Sequence, residues 1–156
     1  MALVFFGGHL RRVLAAAEGP GGMLSAIAFA GTVVMALGIA IDMTISIALA
    51  EAAEDVEPAA VQALQALWDN DFVPIALGIE LFLLSTGLAI VRHGGLPKWL
   101  GWVALVLALL GMTPLGFAAF LGGAVWILTA SILLAVRARA GAGGGAPPAP
   151  AQPGAV

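Results

Sequence analysis

Three long blocks of this chain hold almost nothing that water could bond to: Met23–Ala50, Phe72–Val91 and Trp99–Val136. A helix of roughly 20 apolar residues matches a hydrocarbon core ~30 Å thick. Inside lipid a segment must satisfy its own backbone, which leaves helices or closed barrels. The chain is 62% hydrophobic and only 10% charged, with a mean hydropathy of +1.08. Soluble domains carry roughly 45–50% apolar and about 25% charged residues. A chain this poor in polar side chains cannot cover a water-soluble fold. The expected fold is all-α, an integral membrane bundle of four transmembrane helices.

Four crossings follow from lengths and breaks. Met23–Ala50 is entered through Glu18-Gly19-Pro20-Gly21-Gly22, which interrupts any earlier helix. As helix it extends roughly 42 Å, so it tilts or protrudes. Phe72–Val91 begins with Pro74 in its first turn, where a missing N–H does no harm. Trp99–Val136 would reach about 57 Å as one helix, beyond any bilayer. Thr113-Pro114-Leu115-Gly116 divides it into two short crossings. Met1–Phe6 covers only about 9 Å before Gly7-Gly8-His9 and Arg11-Arg12, and cannot span. It reads either as a short interfacial foot or as the last turns of a preceding helix. Residues 1–22 are thus a cytoplasmic N-terminal segment and residues 23–136 the four-span domain. Residues 137–156, rich in Gly, Pro and Ala, are expected to be a disordered cytoplasmic tail.

The charges test this topology. Lys and Arg concentrate on the cytoplasmic side of membrane proteins. Arg11 and Arg12 precede the first span, Arg92 and Lys98 lie between the second and third, and Arg137 and Arg139 follow the fourth; these are all 6 bases of the chain. Four crossings put every one on the same side, with both termini in the cytoplasm. A three-span arrangement would separate Arg137 from Lys98. The opposite side carries an acidic loop, residues 51–71, with Glu51, Glu54, Asp55, Glu57, Asp69 and Asp71. Within it Val61, Leu64 and Trp68 share one helical face, which predicts a short amphipathic helix at headgroup level or a solvated helical turn.

Asp42 and Glu80 are the ionisable residues inside the spans. A carboxylate at the bilayer centre costs about 2.5–3.5 kcal/mol on insertion scales, so it faces protein or water. Each lies nine residues from the acidic loop, Asp42 before Glu51 and Glu80 after Asp71, or roughly 13 Å below the outer surface. If the first two spans pair level by level, the two carboxyls meet, and two like charges in a dry site cannot both ionise. That is a candidate intramembrane proton site. The plainer reading keeps both carboxyls protonated and bonded to Thr44, Ser46, Ser85 or backbone, as ties between helices.

Other features carry less. Cysteine is absent, which removes disulfides, thiolate metal sites and cysteine nucleophiles. His9 and His93 share the cytoplasmic face but read as surface residues; no metal or cofactor is expected. Ala26/Ala30, Ala36/Ala40 and Ala118/Gly122 permit close helix approach, a pattern that arises easily in a chain this rich in alanine. Trp68, Trp99, Trp102 and Trp126 read as interfacial anchors. No basic run suggests nucleic acid, and no Ser–His–Asp set assembles on one side of the membrane.

Leu96-Pro97-Lys98-Trp99-Leu100-Gly101-Trp102, with Trp68–Pro74 and Thr113–Phe117, resembles stretches in small multi-spanning bacterial membrane proteins of the domain-of-unknown-function 4386 type. The resemblance covers about Leu3 to Val136. It implies a bacterial cell membrane, and that longer relatives have further spans before an Arg-Arg segment. It carries no activity that transfers residue by residue. The function expected is a non-enzymatic multi-pass membrane protein, a subunit or homo-oligomer whose surroundings are lipid and a membrane partner. The alternatives are a proton-coupled transporter or permeation unit using Asp42 and Glu80, and, last, a membrane enzyme acting on a lipid-like substrate.

Overall fold

A computed structural model describes residues 1–55 and 57–143, and every regular element among them is helical. The order is α1 (Ala2–Glu18), α2 (Leu24–Asp55), α3 (Pro58–Trp68), α4 (Phe72–His93), α5 (Lys98–Gly111) and α6 (Gly116–Gly143). Three stretches are long and apolar enough to cross a membrane: Leu24–Glu51, Pro58–His93 and Gly116–Ala140. The fourth expected crossing, α5, has 14 residues, or about 21 Å of helix against a core of roughly 30 Å.

Helix α4 is the axis of the bundle. It packs antiparallel on α2 at a distance only glycine allows. A Cβ on Gly78 would overlap the backbone of Met35, and one on Gly31 would stand 2.6 Å from Phe82 N. One on Gly38 would stand 2.9 Å from Ile75 N. The backbones therefore touch along two helical turns, and side chains interlock around them. Phe82, 1% exposed, sits at the centre of the core. Phe6 of α1 lies against it at 6.3 Å between ring centroids, and Trp126 of α6 meets it edge-on at 5.5 Å.

Three local expectations change. Gly7-Gly8 does not end a helix, because α1 runs through it and packs on α2 and α4. Gly7 is the point of closest approach, where a Cβ would stand 2.7 Å from Thr32 Cγ2. The N-terminal segment is thus not an interfacial foot but a helix of the bundle, with Leu10 and Leu14 fully buried. Trp126 is no interfacial anchor. It is 2% exposed, and its Nε1–H donates to Leu100 O at 2.8 Å, tying α6 to α5. Finally, α6 continues through Gly143, past Arg137 where the tail was expected to begin; residues 144–156 lie outside the described residues.

The glycine contact yields a stability test. Gly78→Val forces two backbones apart and should cost at least the 1–3 kcal/mol typical of overpacking. Gly8→Ala meets nothing nearer than Phe29 Cε2 at 3.9 Å and should be neutral or slightly stabilising, by up to about 1 kcal/mol of helix propensity. Thermal unfolding of the purified variants in detergent, followed by circular dichroism, reads both; equal melting temperatures would remove the α2–α4 contact as the organiser of the bundle.

Candidate functional site

The register of α2 on α4 decides where the carboxyls lie. Gly31 faces Gly78 and Phe82, Gly38 faces Pro74 and Ile75, and Asp42 then falls beside Asp71 at the N-terminal boundary of α4. Asp42 and Glu80 therefore do not share a level. Counting inward from Glu51 and Asp71 assumed that α2 and α4 end at the same depth. Instead α2 runs on for 32 residues to Asp55, about three turns past the level of Asp71, and α3 folds back against this overhang. Trp68 secures the fold-back, its Nε1–H donating to Ser46 Oγ at 3.1 Å. The helix expected at residues 58–68 is present and packs on α2, with Val61 and Leu64 half-buried and Leu67 and Trp68 exposed.

Two acidic environments result. The first is an open cleft of about 520 Å³ that holds Asp42, Asp69 and Asp71 between Trp68, Phe72 and Phe117. The Asp71 carboxyl is pushed above the usual carboxylate range, first by its burial and then by the neighbouring Asp42 carboxyl. Its Oδ2 is buried with no hydrogen-bond partner. The second environment surrounds Glu80, half-buried where α5 ends. Glu80 Oε1 occupies the space a Cβ on Gly111 would take, and Oε2 is buried without a partner. The cavity around it is about 30 Å³, lined by Ala76, Gly111, Gly116, Phe72 and Phe120, which is room for about one water. Phe72 and Phe120 meet edge-on at 6.3 Å and line both spaces, so they stand between the cleft and Glu80.

The polar side chains suggested as partners for the carboxyls bond elsewhere. Thr44 Oγ1 donates to Ala40 O at 2.8 Å, Ser85 Oγ to Leu81 O, and Ser46 accepts from Trp68. Such bonds back to the preceding turn satisfy a hydroxyl within its own helix. His9 lies on α1 and His93 at the end of α4, and among the described residues no group of three or more potential ligands could hold a metal. The residue that sequence reasoning missed is Asp71. It was counted as solvent-side loop, and only the glycine spacing of α2 and α4 could have placed it against Asp42.

The raised Asp71 carboxyl has a pH signature. Its pKa lies above 3.8, the ordinary value, when α4 is docked on α2. The docked state therefore holds its proton more tightly than the separated state, and linkage favours docking at low pH. That contribution is complete below about pH 3.8 and is lost as pH rises through the elevated pKa. Asp71→Asn should flatten this part of the stability–pH profile, measured by thermal unfolding across the acid range; an unchanged slope would mean that Asp71 is an ordinary solvated acid.

Compared with family models, curated proteins and solved structures, the chain matches none of them.

Proposed function

We propose that this chain is a non-enzymatic, four-span protein of a bacterial cell membrane, with both termini cytoplasmic, working as a subunit or homo-oligomer. The observation that carries the topology is the segregation of charge along the bundle. Arg137 Nη1–H donates to Gly95 O at 2.6 Å, so the end of α6 meets the α4–α5 turn that bears Arg92 and Lys98. Helix α1 runs parallel to α4, Phe6 by Phe82 and Ala17 by Gly95, which puts Arg11 and Arg12 within about a turn of the level of Arg92. Glu57, Asp69 and Asp71 lie at the opposite end with α3. By the positive-inside rule the basic end faces the cytoplasm.

The subunit reading is supported by what α5 leaves uncovered. Its C-terminal end lies by Glu80, nine residues or about 13 Å inside the level of Asp71. The α5–α6 turn therefore enters the hydrocarbon, where irregular backbone needs internal partners or protein cover. Thr113 supplies part of that need: its N–H donates to Leu110 O at 3.0 Å, and its Oγ1 accepts from Leu115 N at 3.2 Å. Met112, Leu115 and Phe117 remain exposed beside it. Kinship with the domain-of-unknown-function 4386 type remains a proposal resting on the Leu96–Trp102 segment.

Single-cysteine labelling in intact cells tests the orientation, since the native chain has no cysteine. Gln62→Cys in α3 should react with an impermeant maleimide from outside, and His93→Cys at the end of α4 only after the membrane is opened. The reverse pattern would overturn this orientation, and reaction of both from one side would overturn the crossing by α4.

The buried Oε2 of Glu80 favours a second reading, a proton site that is Glu80 alone, with Asp42 and Asp71 as a separate pair nearer the outside. Infrared spectra in lipid should show a protonated carboxyl band that Glu80→Gln removes and Asp42→Asn leaves. A band lost equally in both variants would mean that the carboxyls act as one coupled site.

A further inference from the structure

One flank of α1 carries a feature that neither topology nor proton chemistry uses. Phe5, Gly8, His9 and Arg12 fall along one helical face at spacings of three and four. With Val4 and with Phe29 of α2 they line a groove of about 340 Å³. The groove is graded. Leu3, one residue from its apolar end, lines a cavity together with Met35 and Ile79, in the middle of the bundle. Arg12, at its other end, lies near the level of Arg92. Arg12 Nη2–H donates to His9 Nδ1 at 3.4 Å; an imidazole that accepts at Nδ1 keeps its proton on Nε2 as a second donor. Arg11 stacks over Phe29, 5.7 Å from the ring centroid, and brings a second guanidinium to the rim. The one acid of α1, Glu18, is engaged elsewhere, accepting from Ser25 N at 3.0 Å.

We propose that this groove is a binding site for one anionic phospholipid of the cytoplasmic leaflet, its phosphate on Arg12 and His9 and an acyl chain along Val4, Phe5, Gly8 and Phe29. Charge and position argue for this occupant. Two adjacent exposed guanidinium groups at the basic end of the bundle attract a counter-anion, and basic pockets between helices on the cytoplasmic side attract anionic headgroups. A free phosphate would use the rim and leave the apolar length of the groove empty. A zwitterionic lipid would fill the groove but bring no net charge. Gly8 forms the floor: its missing side chain leaves the room, since a Cβ there would have no neighbour closer than 3.9 Å.

The proposal rests on the membrane reading above, and the experiment separates the two. Full-length protein is reconstituted in phosphatidylcholine bilayers containing a minority of spin-labelled phosphatidylglycerol, and the motionally restricted fraction is measured against spin-labelled phosphatidylcholine. Wild type should prefer phosphatidylglycerol. Arg12→Gln should lower that preference about fivefold, the equivalent of ~1 kcal/mol for one base near an anionic surface. Gly8→Leu, which fills the groove and leaves every charge in place, should lower it comparably, whereas Arg139→Gln should leave it within twofold. Glycerol phosphate in the aqueous phase should not displace the lipid. Equal binding of the two lipids, an unchanged preference in Gly8→Leu, a fall in Arg139→Gln as large as in Arg12→Gln, or displacement by glycerol phosphate would each overturn the site. Alkaline extraction of the same membranes tests the reading beneath it: release of wild-type protein would defeat the membrane assignment itself.

Discussion

The backbone contact between α2 and α4 sets the rest of the arrangement. In lipid, apolar side chains gain little by leaving acyl chains for one another, so helix pairs are held by close packing and by what close packing permits. Gly78 against Met35, with Gly31 and Gly38 on the facing helix, lets two backbones touch and fixes one antiparallel register. Slide that register by a turn and a Cβ meets a backbone. The consequences run outward from it. Asp42 must lie beside Asp71; α2 must project beyond α4; and α3, joined to the projecting end, returns along it and is held by the Trp68–Ser46 bond. Helix α5 then packs on the far side of α4, and its last residue, Gly111, arrives at Glu80.

Much of this is legible in the sequence, and the rest is hidden for a physical reason. Lipid imposes composition, so Leu24–Glu51, the α4 segment and Gly116–Ala140 announce themselves by their apolar length. The bases of Arg11–Arg12, Arg92–Lys98 and Arg137 announce which ends lie together. Register is different, because it depends on which small residues face a partner. Alanine is so frequent here that Ala26/Ala30 and Ala36/Ala40 look as good as any contact, while the decisive pair, Gly31 and Gly38, stands seven residues apart. Seven residues are two turns of one helical face, a spacing that a search for four-residue repeats passes over. Once the register is missed, depth is miscounted. Equating Glu51 with Asp71 as boundaries put Asp42 level with Glu80, whereas the true partner was the residue already assigned to the loop. The close packing of Gly7 on Thr32 was hidden for the same reason, since a glycine in a membrane helix can mark close approach.

Short α5 and the orphaned carboxyl are two aspects of one arrangement. In the proposed four-span arrangement a helix of about 21 Å stops short of the far surface, which would leave its last carbonyls and the turn after it at hydrocarbon depth. Thr113 closes the turn on itself, bonding Leu110 O through its N–H and accepting from Leu115 N. Glu80 stands directly against the end of α5. A helix C-terminus presents unpaired carbonyls and partial negative charge, which is poor company for a carboxylate and good company for a carboxylic acid that can donate.

Such an arrangement favours holding a proton over passing one through. From the acidic end the cleft leads inward past Asp71 to the Phe72–Phe120 edge, with Glu80 behind it. Beyond Glu80, toward the basic end, lies the aromatic centre of the core: Phe82 between Phe6 and Trp126, with Leu83 and Ile90 fully buried around it. A proton path needs groups that can accept and donate in turn, at hydrogen-bond reach or through water. Around the aromatic layer Trp126 gives its N–H to Leu100 O, Ser85 donates back to Leu81 O and Thr32 to Ala28 O, while the buried Thr86 Oγ1 has no partner among the described residues. Among the described residues no hydrogen bond joins Glu80 to these hydroxyls. Proton movement to the other face would require either water or a rearrangement that joins Glu80 to these hydroxyls, or a second chain whose polar groups complete the route. The second of these ties any transport role to the Gly111–Phe117 turn, where the carboxyl adjoins the exposed Met112, Leu115 and Phe117.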